Sequence, residues 1–192
     1  MHLKPYTLSF LLAFAAQAQA IHFSSTNAYL VTEDQTVNEE TWIATGTAQT
    51  EGTFKNDLFI LAANNLLLNG TYEGNVWGIG SNNAEMGGAC ERNLRLLGKT
   101  IVIQGAVGRN VMTLADTIVI ATNAVVEGDL KLLGNSIVIE GHTAGNVSIT
   151  ATRLVTVGGT GLGAPVQGPG LFGSRILEEL VEAGDGRFEV AV

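Results

Sequence analysis

Cysteine is almost missing. Cys90 stands alone among 192 residues, so no disulfide can close within the chain. Its neighbours Gly87, Gly88 and Ala89 are small, and the thiol is expected to be buried. Proline occurs only 3 times and charged residues make up 15% of the chain. That composition leaves little for exposed helix, while a hydrophobic fraction of 46% excludes disorder as the general state. The three histidines, His2, His22 and His142, are scattered, so no zinc cluster, catalytic triad or His-based acid/base pair can be assembled. No phosphate-binding loop of the G-x-x-x-x-G-K-[ST] type occurs, and Gly159-Thr160-Gly161-Leu162-Gly163 lies in a Gly/Pro stretch, not between strand and helix. These absences lead us to expect no metal, no cofactor and no enzymatic activity. Positive charge is scarce as well. A formal net charge of −8 argues against nucleic acid or an anionic membrane as partner.

What is present begins with a targeting segment. Residues 1–20 carry Lys4, an apolar run from Leu8 to Ala16 and the A-x-A site Ala18-Gln19-Ala20. The run is too short to span a bilayer, and the pattern is that of a signal peptide cut before Ile21. No other segment approaches 18 apolar residues, so no transmembrane segment is expected in the mature chain. The expected location is outside the cytoplasm: periplasmic or extracellular, in association with the cell envelope.

Glycine is plentiful, with 24 residues, and it falls in a repeat. Openers at Glu40, Asp57, Asn75, Asn93, Asn110, Asp129 and Asn146 are spaced, by subtraction of their numbers, 17, 18, 18, 17, 19 and 17 residues apart. One residue on comes Thr41, Leu58, Val76, Leu94, Val111, Leu130 or Val147; five on, a small residue; eight to ten on, a triplet such as Ile101-Val102-Ile103, Ile118-Val119-Ile120 or Ile137-Val138-Ile139. Self-similarity at so short a period is the mark of a solenoid. β-branched triplets favour strands. The columns at +1, +3, +8 and +10 are then inward positions, and the small residues at +5 and the glycines near +12 mark bends. Stacked Asn and Asp openers can form a side-chain ladder.

The expectation is an all-β, single-stranded parallel β-helix of about seven 17–19-residue rungs over residues 40–160. Residues 21–39 form an N-terminal lead-in in which Tyr29–Val31 and Thr36–Val37 suit an imperfect starter strand. Asn82–Glu91 reads as the weakest rung, a bulge or loop. The polar +7 column and the uneven spacing disagree with the strict hexads of a left-handed coil and favour the right-handed form. Residues 161–192 read as a Gly/Pro linker and a short amphipathic helix over Ser174–Ala183 with Ile176, Leu177, Leu180 and Val181 on its apolar face. Capping of the last rung and docking to a partner are both open to that helix.

The recurring Gly-Asn/Asp-apolar openers (Gly74-Asn75-Val76, Gly128-Asp129-Leu130, Gly145-Asn146-Val147) and the segments Ile101-Val102-Ile103-Gln104-Gly105 and Ile137-Val138-Ile139-Glu140-Gly141 resemble the bactofilins, a polymer-forming bacterial cytoskeletal family. The resemblance covers about residues 40–160. It implies a compact right-handed β-helix that polymerises end to end through apolar terminal rungs, without nucleotide, and scaffolds envelope or morphogenetic proteins. Typical members are cytoplasmic, so this chain resembles an exported relative, and cytoplasmic partners do not carry over.

The expected role is therefore a non-enzymatic, self-assembling structural protein whose main partner is itself, with envelope proteins or glycans as further partners. The candidate polymer interface is Trp42 (if turned inward), Ile43 and Phe54 at the first end, and Val147, Ile149, Val155 and Val157 at the last. The alternative is an exported adhesin or glycan-binding solenoid using Trp42 and Trp77, both at +2, as aromatic platforms. A polysaccharide-active enzyme would need paired carboxylates. Asp57 and Asp129 lie four rungs apart, about 19 Å at about 4.8 Å per rung, too far for glycoside chemistry. Asp116, Arg92 and Arg109 fit solvated corners.

Overall fold

The computed structural model describes residues 21–158, and every regular element among them is a strand. The first turn is β1 (Ile21–Val31) and β2 (Thr36–Val37); the second is β3 (Glu40–Thr50) and β4 (Thr53–Phe54). The third is β5 (Leu58–Ala62), β6 (Asn65–Leu68) and β7 (Thr71–Tyr72), followed by β8 (Val76–Met86) with β9 (Ala89–Cys90). Then come β10 (Leu94–Ile103) with β11 (Ala106–Val107), and β12 (Val111–Ile120) with β13 (Val125–Val126). The stack closes with β14 (Leu130–Ile139), β15 (His142–Thr143) and β16 (Val147–Val157). All pairings are parallel, and each strand pairs with its equivalent one turn away. The chain is an all-β solenoid of about seven turns, with a 9-stranded sheet of long strands and a 7-stranded sheet of two-residue strands.

Inside and outside follow from side-chain alternation. In β10, Leu94, Leu96, Ile101 and Ile103 are buried, whereas Arg95, Leu97 and Val102 face out. The step from residue 98 to 101 is odd, so the alternation changes phase there. A strand keeps both its halves inward across such a jump only by bending, which is why +5 holds Gly80, Gly98, Ala115 and Gly134. The wobble in rung length is absorbed in two places. One extra residue bulges at the corner, as shown by the register shifts opposite Gly98–Thr100 and Gly134–Ser136. The longest rung instead inserts a turn over Ala121–Ala124, where Ala124 N–H donates to Ala121 O at 2.8 Å.

The interior is one continuous apolar column from Val31 to Ile149. Each fully buried Leu or Ile contributes about 1.5–3 kcal/mol. A third inward column, on the short strands, holds Phe54, Tyr72, Cys90, Val107, Val126 and Thr143. The bend before it is packed against the turn below. A Cβ on Gly70, Gly88 or Gly105 would run into the carbonyl oxygen of Gly52, Gly70 or Gly88 respectively. The structural glycine of that turn is thus Gly88, one residue beyond Gly87.

Two segments differ from their sequence reading. Residues 21–39 are a full turn, paired in register with the next from Ile21↔Glu40 to Val31↔Thr50. Asn82–Met86 is continuous strand, with Asn83 opposite Thr100 and Ala84 opposite Ile101. Small Ala84 and flexible Met86 fill inward positions that other turns give to β-branched residues. The signal segment 1–20 and the helix expected over 174–183 lie outside the described residues.

Candidate functional surfaces

The first end of the stack is an edge. Among the described residues β1 has β3 as its one neighbour and β2 has β4, with no strand on the outer side of either. Its inward positions are His22, Ser24, Thr26, Tyr29 and Val31, aligned with Thr41, Ile43, Thr45, Ala48 and Thr50. The core therefore tapers from Leu58-Ile60-Ala62 through Thr41-Ile43-Thr45 to His22-Ser24-Thr26. The added turn corrects the expected interface there. Ile43 and Phe54 are 4% and 1% exposed, covered by residues 21–39, and Trp42 points outward.

At the other end Val147 and Ile149 are both buried. Val155 and Val157 pair through the backbone with Ile137 and Ile139. β16 is the long strand with a neighbour, β14, on one side among the described residues.

The aromatic side chains form a ladder along the side of the stack. Trp42 stacks on Phe59 with ring centroids 4.0 Å apart and planes 11° from parallel. Phe59 stacks on Trp77 at 6.3 Å, and the Arg95 guanidinium lies over Trp77 at 4.3 Å. Phe23 tilts onto Trp42 at 6.1 Å. Trp42 Nε1–H donates to Glu40 Oε1 at 2.8 Å. Ring faces are consumed by one another and by the cation, so edges meet the solvent. A sugar platform needs an open ring face, and neither Trp42 nor Trp77 offers one.

A second ladder runs along the openers. Asn75 donates to both carboxylate oxygens of Asp57 at 3.1 Å, Asn93 to Asn75 Oδ1 at 2.9 Å and Asn110 to Asn93 Oδ1 at 3.3 Å. Asn146 donates to Asp129 Oδ1 at 3.2 Å. Asn135 donates to Asp116 Oδ1 at 2.5 Å. The three carboxylates considered for catalysis are therefore engaged in inter-turn hydrogen bonds and are not gathered in a cleft. Arg92 and Arg109 are exposed at the corner. Among the described residues no group of three or more His, Cys, Asp or Glu side chains is placed to hold a metal. No helix among them is long and apolar enough to cross a membrane.

Two buried titratable groups serve the core. Cys90 is buried, and desolvation pushes its thiol up to about 11, so it is a poor nucleophile. Tyr72 is pushed up to about 12 by the same cause. Its hydroxyl hydrogen-bonds Thr50 Oγ1 at 2.6 Å and lies 3.3 Å from the Gly70 N–H that donates to it.

Sequence reading missed one surface. Beside the aromatic ladder, two residues on, stands a second outward column: Leu61, Ile79, Leu97, Leu114 and Leu133, each 37–49% exposed. The signal was available as Leu or Ile four residues after each opener from Asp57 to Asp129. The sequence matches no family model, and no curated protein or solved structure is significantly similar to it.

Proposed function

We propose that this chain is a non-enzymatic structural protein, a rigid β-solenoid scaffold that assembles end to end in the envelope of an exporting cell. The observation that carries the reading is the edge of β1: 11 residues of regular strand with no neighbour on the outer side among the described residues and no Lys or Pro to block pairing. Because all strands run parallel, β1 of one copy and β16 of another are the natural joint, and stacking them continues the same columns. On the β16 side Val147 and Ile149 are buried, so the joint offered there is the strand's backbone edge. Interdigitated apolar side chains and uniform rungs suit a load-bearing role, and the carboxylates' engagement in ladders supports a non-catalytic one. Export is supported by the n-region, apolar run and A-x-A site that precede Ile21, where β1 begins.

Negative-stain electron microscopy of residues 21–192, without nucleotide or metal, tests the reading. Filaments are expected, and they should vanish in Thr26→Lys, which sets a charge on the inward column of the edge turn. Discrete particles from the unaltered chain would end the filament proposal. Intact-mass analysis of the exported product should give a chain starting at Ile21.

A further inference from the structure

The apolar strip on the side of the stack has no role in end-to-end contact. It consists of two outward columns over seven turns: Phe23, Trp42, Phe59, Trp77, Arg95, Met112 and Lys131 in one, and Ser25, Ala44, Leu61, Ile79, Leu97, Leu114 and Leu133 in the other. In an acidic protein neither column contains a carboxylate. Strand register along the strip is unbroken; both shifts fall beyond the corner. Six steps of about 4.8 Å give a length of about 29 Å, and two columns give an area on the order of 400 Å². That is the size at which an exposed patch marks an interaction site.

We propose that this strip pairs laterally with the strip of a second copy of the chain, face to face and antiparallel. The sequence of each column is complementary to its own reverse. A two-fold axis along the strand direction through Trp77 and Ile79 sets the first turn against the seventh, the second against the sixth and the third against the fifth. In the aliphatic column, small Ser25 and Ala44 then lie opposite Leu133 and Leu114 of the second copy, Leu61 lies opposite Leu97, and Ile79 meets Ile79. In the aromatic column, Phe23 lies opposite Lys131, Trp42 opposite Met112 and Phe59 opposite Arg95. Lys131 thus meets Phe23, whose one ring neighbour is Trp42, the Met112 thioether meets a ring edge, and no like charges face each other. A parallel pairing, turn on turn about an axis along the stack, would reverse the strand direction and set each column against the other, with Arg95 opposite Leu97 and Lys131 opposite Leu133, so neither cation would meet a ring. The pair buries on the order of 800 Å² in total, less than a permanent dimer requires, so the association is reversible. Joined end to end, copies would multiply this weak contact along their length. The lateral contact itself does not depend on that joining.

The test is disulfide trapping between variants of the mature chain that each carry one added cysteine, with buried Cys90 as a silent background, beside sedimentation of the unaltered chain at 1–200 µM (roughly the range for so small an interface). Ile79→Cys should link to itself. Ala44→Cys and Leu114→Cys should each stay unlinked alone, their equivalents being about 19 Å apart, and should link when mixed. Leu114→Lys should weaken the dimer at least tenfold while leaving the circular dichroism unchanged. Added salt should strengthen the dimer, because both copies are acidic and the contact is apolar; an acidic foreign partner would be released by salt instead. Self-linking of Leu114→Cys, or a dimer indifferent to Leu114→Lys, overturns the proposal. So does a monomer at every concentration, whether the strip binds an apolar dye, being bare, or does not, being covered within one chain. Filaments without lateral links would remove this proposal alone, and lateral dimers without filaments would remove only the end-to-end reading.

Discussion

One sheet carries two different surfaces on either side of its corner. Before the corner the outward residues are Trp42, Phe59, Trp77, Leu61, Ile79, Leu97, Leu114 and Leu133. After it they are Thr47, Asn65, Asn83, Thr100, Thr117 and Ser136 in one column, and Gln49, Leu67, Glu85, Val102, Val119 and Val138 in the next. The backbone, the pairing and the buried columns beneath are the same. Folding therefore does not require leucine and tryptophan on the outside, because the same rungs carry Thr and Asn a few residues later. The first surface asks for an explanation beyond stability, and the second shows what the fold looks like without one.

The comparison breaks if inward and outward positions are not as different as their burial implies. Leu96→Ala, inward beneath the strip, should cost about 3 kcal/mol, whereas Leu97→Ala, the next residue, should cost under about 0.5 kcal/mol. Urea unfolding measures both, and equal costs would refute the assignment of faces. The shared backbone is tested next. Gly105→Ala must displace the Gly88 carbonyl and should cost about 2 kcal/mol, seen as a lowered Tm.

Titration probes the shared interior. Tyr72 rises from 10.0 to about 12 and Cys90 from 9.0 to about 11, both because burial disfavours the anion. With folded values above unfolded ones, their contribution is full below pH 9 and is lost as pH climbs through about 11 and 12. For Tyr72 the loss is on the order of 2 kcal/mol. Tyr72→Phe should flatten the alkaline end of a stability–pH curve; an unchanged curve would locate the sensitivity elsewhere. Asn93→Ala interrupts the opener ladder in its middle and should cost about 1 kcal/mol by thermal melting. The smallest effect sharpens the comparison most. Leu97→Thr, Leu114→Thr and Leu133→Thr together make the first surface resemble the second. Stability should change by less than about 0.5 kcal/mol per site, while self-association in sedimentation disappears.

Much of the fold was legible because its grammar is chemical. The inward columns at +1 and +3 show as mostly Leu, Val and Ile, the corner as Gly or Ala, and the ladder as Asn or Asp; the columns at +8 and +10 hold in the rungs opened by Glu40, Asn93, Asn110 and Asp129, whereas an extra corner residue moves them to +9 and +11 (Leu66, Leu68, Ala84, Met86) in those opened by Asp57 and Asn75. Legibility failed where chemistry varies and only geometry repeats. The turn at 21–39 was hidden because its inward residues, His22, Ser24 and Thr26, are polar, as suits the first of the described turns. The short-strand column escaped notice because Phe54, Tyr72, Cys90, Val107, Val126 and Thr143 share position and burial but no chemical type. Trp42 and Trp77 were correctly outward, yet their packing on Phe59 and Arg95 depends on neighbours 17 or 18 residues away. The leucine column was in plain view; it reads as ordinary strand until register shows that its members share one outer face.

The opener ladder also gives the stack a sense of direction. Each Asn amide donates toward the first end, and Asn75, Asn93 and Asn110 accept from the turn on the other side, so the side-chain dipoles add along the axis as peptide dipoles do in a helix. The two runs, Asn110 to Asp57 and Asn146 to Asp129, each finish on a carboxylate. An acceptor-only group with negative charge stands where the donors point, the place an acidic residue takes at a helix N-terminus. The aspartates thus work as terminators of a polarised wire, and the cylinder they belong to has a chemically distinct head and tail before any second copy arrives.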